Sequence, residues 1–155
     1  MKLQLVAPVI SALALALAAA PADAGAIPTG GVTASEIAAW LKGKGHNAEV
    51  RANHEGKTTV SAEANGFHLD VYFYDCEGAR CGSIQYVGYW PLTADLSKIN
   101  EYNEGWRFLR LYANDYNVVG EYDVEVQHST WEQLDVTFAT FLSMIPGVTN
   151  TFGKL

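Results

Sequence analysis

The chain has 155 residues, which is room for one domain of ordinary size and not for two. Hydrophobic residues make up 49% of it and charged residues 17%, proportions that exclude a disordered tail and a coiled coil. Seventeen acidic and ten basic residues give a net charge of −7. This acidity argues against nucleic acid or an anionic lipid surface as the partner.

Residues 1–24 have the three parts of a secretory signal peptide. Lys2 supplies the positive start, residues 3–20 form an Ala- and Leu-rich core without charge, and Ala22-Asp23-Ala24 has the small residues that a signal peptidase accepts. We expect cleavage after Ala24 and a periplasmic or secreted protein with no stable membrane insertion. An uncleaved membrane anchor is the alternative, because about 18 apolar residues can just span a bilayer.

Cleavage would leave 131 residues that still carry a charge of −7, because Lys2 and Asp23 are removed together. Residues 25–32 are rich in Gly and Pro and predict a flexible lead-in. Residues 33–150 then form one α+β domain, long enough to bury a core without help from a metal.

The first half of this domain predicts one helix and four strands. Thr33-Ala34-Ser35-Glu36 is a capping box, and the helix that it begins is expected to end at Gly43 and Gly45. Short strands are predicted at 48–52 and 58–64, followed by an Asn65-Gly66 turn. Apolar and polar residues then alternate over two longer strands, 67–74 and 83–90.

The second half predicts a helix, a hairpin and a last helix. The helix spans residues 95–104 with Leu96 and Ile99 facing inward, and the hairpin pairs 106–113 with 117–127. The last helix begins at a second capping box, Ser129-Thr130-Trp131-Glu132, and is expected to end at Pro146-Gly147. The order α-β-β-β-β-α-β-β-α predicts a two-layer domain with helices on one face of a largely antiparallel sheet.

Cys76 and Cys81 are the only cysteines, and they bracket a four-residue loop between the two longest strands. In an oxidising compartment this spacing favours a disulfide. A redox pair would more often be C-x-x-C at the start of a helix, and a zinc site would need two further ligands. If the two cysteines face each other, the numbers of opposed residues sum to 157, and the apolar residues of the two strands meet on one face.

The opposite, outer face of the sheet carries the candidate binding residues. Tyr72, Tyr74, Tyr89 and Tyr112 are expected to point away from the helices, and exposed aromatic residues among polar ones are common at protein-binding surfaces. The alternative is that an amphipathic tyrosine simply tolerates a half-buried strand. His68 and Asp70 with two of these tyrosines could form a proton-transfer cluster, but an open face is a poor active site.

No catalytic or metal-binding motif is evident. The four histidines are scattered, and the sequence has no H-E-x-x-H pattern, G-x-S-x-G elbow or phosphate-binding glycine loop. Glu121, Asp123 and Glu125 alternate as the solvated face of a strand would. We therefore expect no catalytic residues, no metal and no cofactor.

One block of the sequence resembles the YbjN family, described as bacterial sensory transduction regulators. Ile99-Asn100-Glu101-Tyr102-Asn103 is similar to the family's "iNeWN" helix, and Trp106-Arg107-Phe108 leads into a hairpin that ends in Gly120-Glu121-Tyr122-Asp123. Thr33–Leu41 and Phe67–Cys76 are similar to the family's first helix and its "f.vyfygC" strand. The likeness extends over about residues 32–146.

The resemblance implies a fold similar to that of type III secretion chaperones, which usually form dimers and hold other polypeptides. It implies no catalytic residues. Family members described as regulators are often cytosolic, whereas this chain carries a predicted export signal. We therefore expect an exported, non-catalytic domain that binds an unidentified protein or peptide or forms a homodimer. A small-ligand site or minor enzyme between helices and sheet, near Trp40, Trp90, Trp106 and Trp131, is the alternative.

Overall fold

The computed structural model describes residues 25–153, so the predicted signal peptide lies outside the described residues. The helices are α1 (Ala34–Gly43), α2 (Leu96–Gly105) and α3 (Trp131–Phe152). The strands are β1 (Asn47–Ala52), β2 (Thr58–Ala64), β3 (Phe67–Glu77), β4 (Arg80–Trp90), β5 (Arg110–Ala113) and β6 (Val118–Glu125). Their order along the chain is the predicted one. None of the helices within this range combines the length and the apolar character that crossing a membrane requires.

The strands form one antiparallel sheet in the order β1-β2-β3-β4-β6-β5. One face of the sheet and the three helices share a single apolar core, in which Tyr86, Phe141 and Leu41 are fully buried. The α+β class is therefore confirmed. The core accounts for the fold because removal of apolar surface from water is its main driving force.

The pairing of β3 with β4 follows the predicted register. Leu69 lies opposite Gly88 and Val71 opposite Tyr86, and Cys76 and Cys81 form a disulfide at the end of the ladder. The register is well determined because a shift by one residue would turn every buried side chain of the strand to the other face. The Asn65-Gly66 turn before β3 has positive φ at both residues, as a tight hairpin turn requires.

Two predictions about α3 are wrong. Its N-cap is Thr130, one residue later than predicted. The Ser129 carbonyl accepts a hydrogen bond from the Ile27 amide, so Ser129 belongs to the connection that precedes the helix. The helix also continues past Pro146 to Phe152. The continuation buries Val148 completely and lets Thr149 accept a hydrogen bond from Trp90 Nε1 at 3.0 Å. These contacts outweigh the one helical hydrogen bond that the proline removes.

The prediction that Leu96 faces inward is also wrong, since its side chain is 70% exposed. Leu96 is the first residue of α2, and this helix packs beside β5, which has only four residues. The buried residues of the helix, Ile99 and Tyr102, lie in its later turns. The first turn of α2 is therefore exposed, and only its later residues reach the core.

Residues 25–32, for which the composition predicts a flexible lead-in, contact the domain at two points. Ile27 and Val32 are buried, and the Val32 amide and carbonyl both bond to Cys81. Gly31 has φ +90°, and a Cβ there would collide with the Cys81 carbonyl. Gly31 thus permits a close backbone approach to Cys81 that a side chain would prevent.

Candidate functional site

The four predicted tyrosines lie on the outer face of the sheet, away from the core that the helices cover. Tyr72 is opposite Gln85, and Tyr74 is opposite Ser83. Val119 on β6 lies between Tyr89 on β4 and Tyr112 on β5, so one row of side chains crosses three strands. Alternation along the strands gives this arrangement, because successive side chains point to opposite faces.

The tyrosines differ in how far they reach into solvent. Tyr74 and Tyr112 are 47% and 42% exposed, whereas Tyr72 and Tyr89 are half-buried. Val87 and Val119, on the same face, are buried beneath their neighbours. The outer face is therefore a packed layer of side chains, with the exposed rings of Tyr74 and Tyr112 available for contact.

Hydrogen bonds hold this layer together. The Tyr72 and Tyr89 hydroxyls lie 3.0 Å apart and share a hydrogen bond. Tyr74 Oη donates to Gln85 Oε1 at 3.2 Å, and Gln85 Nε2 donates to Asp123 Oδ1 at 2.7 Å. Gln85 is buried and satisfied on both sides, so it fixes the position of Tyr74. The alternating sequence identified the tyrosines but gave no sign of this buried glutamine.

The outer face is also acidic. A hollow beside Tyr74 is lined by four carboxylates and one cation, Arg110, which forms an ion pair with Glu121. The other carboxylates of the hollow are Asp75, Asp123 and Glu125. The alternation of Glu121, Asp123 and Glu125 predicts a solvated strand face, but it does not show that these carboxylates lie near Tyr74. Cross-strand geometry brings them there, since Gln85 pairs with both Tyr72 and Asp123.

The environment keeps the tyrosine hydroxyls protonated. Burial, followed by the nearby charges of Glu121 and Asp123, raises the pKa of Tyr74. Burial and then Glu121 likewise raise the pKa of Tyr112. The pKa of Tyr89 is raised strongly by burial and by its hydrogen bond with Tyr72. Near neutral pH these hydroxyls are therefore uncharged, and the Tyr74 hydroxyl donates its hydrogen to Gln85 within the chain.

The suggested proton-transfer cluster is divided in two. His68 Nε2 lies 3.3 Å from Ser61 Oγ and 3.9 Å from Asp70 Oδ1. The Tyr72 and Tyr89 hydroxyls are bonded to each other. His68 is largely exposed on its strand. These residues share a face of the sheet, but no hydrogen bond links the two pairs within the described part of the chain.

The four tryptophans do not line a common pocket. The Trp40 ring lies 6.4 Å from that of Trp131, at the first turn of α3. Trp90 bonds to Thr149, and Trp106 lies against Gly147 and stacks on Tyr102. Thr149 lies eighteen positions after Trp131 on α3, a distance of about 27 Å at 1.5 Å per residue. The tryptophans thus pack in two groups at the two ends of α3.

Within residues 25–153 no three His, Cys, Asp or Glu side chains are grouped so that they could hold a metal ion. Cys76 and Cys81 are joined to each other.

Comparison with known proteins gives one match. A family model, YbjN, described as "Putative bacterial sensory transduction regulator", matches residues 33–153. No curated protein and no solved structure matches the chain. The family match extends from the N-cap of α1 to the end of α3 and so includes every helix and strand described above. This chain belongs to the YbjN family.

Proposed function

We propose that the protein is an exported, non-catalytic domain that binds a protein or peptide on its outer sheet face, with a regulatory or chaperone-like role in the cell envelope. The observation that carries the proposal is the row of tyrosines on a face that the helices leave uncovered. Tyr74 and Tyr112 expose their rings, while the Tyr72–Tyr89 pair supports the layer from within. Tyrosine is suited to such a surface because it offers a large apolar ring and a polar tip with few rotatable bonds.

The family description supports a regulatory role, since it names regulators and no reaction. The exposed rings of Tyr74 and Tyr112 support a binding role, because aromatic side chains are enriched at protein interfaces. Export is proposed from residues 1–24 alone. It is compatible with binding, which needs neither a nucleotide nor a reduced environment.

The test is affinity capture from envelope extracts with the purified protein as bait. Tyr74→Ala combined with Tyr112→Ala removes the two exposed rings and is expected to abolish capture of proteins that the native bait retains. Tyr116→Ala is the matched control, because Tyr116 is 80% exposed but lies in the turn between β5 and β6. The control should capture the same proteins as the native bait. Capture that survives the double substitution would remove the outer face as the binding surface.

A small-ligand site remains the alternative function, but the separation of the four tryptophans removes the pocket that would have favoured it. A ligand that raised the melting temperature equally in the native protein and in the tyrosine double variant would support that alternative.

A further inference from the structure

The two edges of the sheet are protected to different degrees. At the β5 edge, the side-chain amide of Asn103 brackets Leu111: Nδ2 donates to the Leu111 carbonyl at 2.9 Å, and Oδ1 accepts from the Leu111 amide at 2.9 Å. The side chain thus occupies the place of a neighbouring strand. An edge closed in this way cannot add another strand at that residue.

The β1 edge has no such cover. β1 pairs only with β2, and the Asn53 amide bonds to the Lys57 carbonyl at the turn that joins them. Because hydrogen-bonded pairs alternate along an antiparallel ladder, Asn47, Glu49 and Arg51 direct their backbone groups toward β2. Ala48, Val50 and Ala52 therefore direct theirs outward, and no hydrogen bond to these outward groups occurs within residues 25–153.

The side chains of β1 are complementary to themselves. If a second β1 strand lies antiparallel to the first and centred on Val50, Val50 faces its own counterpart and Glu49 faces Arg51 of the other copy. Two-fold symmetry makes this ion pair twice. Within one chain Glu49 and Arg51 form an exposed ion pair with each other, and in the dimer each would also face the opposite charge of the other copy. Val50 is 45% exposed, and its contact with its counterpart would remove apolar surface from water.

We propose that two copies of this chain associate through their β1 edges, joining two six-stranded sheets into one. The central pair would be Val50 with Val50, hydrogen-bonded in both directions. The Glu49–Arg51 pairs beside it would be non-hydrogen-bonded pairs, in which side chains approach most closely. A symmetric, closed arrangement of this kind limits the assembly to two copies.

This arrangement goes beyond the proposed binding function and does not depend on it. The dyad of an antiparallel strand pair is perpendicular to the sheet, so both outer faces would lie on the same side. The four tyrosines of each copy would then form two equivalent surfaces. A partner with two binding segments would be held more tightly than a partner with one.

The test uses two charge reversals, Glu49→Arg and Arg51→Glu, and sedimentation equilibrium at several concentrations. Each reversal places like charges opposite each other in its own dimer, and we expect the dimer dissociation constant to rise roughly tenfold or more. In a mixture of the two variants, every 49–51 pair is again of opposite charge. The mixture should therefore form heterodimers, although neither variant associates well alone.

Circular dichroism serves as the folding control, since both positions are exposed and their substitution should leave the spectrum unchanged. A native protein that stays monomeric at all concentrations would overturn the proposal. So would a dimer that neither reversal weakens, or a mixture of variants that remains monomeric. If the dimer were lost instead in the variant with Tyr74→Ala and Tyr112→Ala, self-association would use the outer face and the proposal would be wrong.

Discussion

Glu36 is the residue at which local helix formation and tertiary structure meet. Its carboxylate accepts the Thr33 amide at 2.8 Å, and the Glu36 amide in turn bonds to Thr33 Oγ1, which completes the capping box. The same carboxylate accepts two hydrogen bonds from Arg80, near the tip of the β3–β4 hairpin. Arg80 also donates to the Gly31 carbonyl at 2.6 Å. The cap of α1 therefore ties the hairpin and the entering chain together.

Glu36→Gln is expected to lower the free energy of unfolding by about 1 kcal/mol at neutral pH, a value reduced for the partial exposure of the ion pair. Burial alone would raise the pKa of Glu36, but the hydrogen bonds from Arg80 and Thr33 lower it below 4.5. A lowered native pKa adds stability that is complete above about pH 4.5 and is lost as the pH falls through the native value.

Urea titrations of the native protein and of Glu36→Gln between pH 3 and pH 7 measure this contribution. The difference between the two should shrink toward zero in acid. Glu55→Gln is the control. Hydrogen bonding to Lys57 also lowers the pKa of Glu55, but this pair is exposed to solvent. Because solvent screens this pair, its effect on the unfolding midpoint should be much smaller than that of Glu36→Gln at every pH. A Glu36 difference that is independent of pH would contradict this account.

At the scale of the elements, the sequence predicts the structure correctly wherever a pattern repeats or a turn requires a particular backbone conformation. The alternation of β3 and β4 together with the cysteine spacing determined the register, and the capping box determined the start of α1. Asn103 shows the limit: in the sequence it is only one residue of a family motif, and its role depends on β5 lying alongside α2. The same is true of Gln85, because no local pattern announces a partner on another strand.

At Pro146-Gly147 the sequence predicts the end of α3, but the helix continues to Phe152. The contribution of these last turns to stability can be measured. Val148 follows Pro146, and its side chain is fully buried. We expect Val148→Ala to lower the free energy of unfolding by about 2 kcal/mol, through lost burial and the cavity that remains.

Val136→Ala makes the matched control on the same helix, since Val136 is an exposed side chain. In denaturant titration, that variant should have the same free energy of unfolding as the native protein. If both variants unfolded like the native protein, the helix would end at Pro146 after all, and the turns beyond it would make no contribution to the core.

The net charge of the whole molecule affects which of its surfaces can associate with a second copy. The charge of −7 is unaffected by removal of residues 1–24, so the folded domain carries all of it. On the outer face four carboxylates line the hollow beside Tyr74, and two such faces would repel each other. Self-association is thus better served by β1, where opposite charges alternate along one strand. The two proposals therefore use different surfaces: the acidic aromatic face would bind another polypeptide, and the β1 edge would bind a second copy.

Intact-mass measurement of the protein recovered from the periplasmic or secreted fraction tests export and the disulfide together. The expected mass is that of residues 25–155 less two hydrogens, and alkylation should add mass only after reduction. A chain that retains residues 1–24 in the membrane fraction would favour the anchor over the signal peptide. Two thiols that react before reduction would contradict the disulfide, whichever N-terminus is found. The two results are independent, because cleavage removes the mass of the first 24 residues, whereas oxidation removes only two hydrogens and blocks alkylation of Cys76 and Cys81.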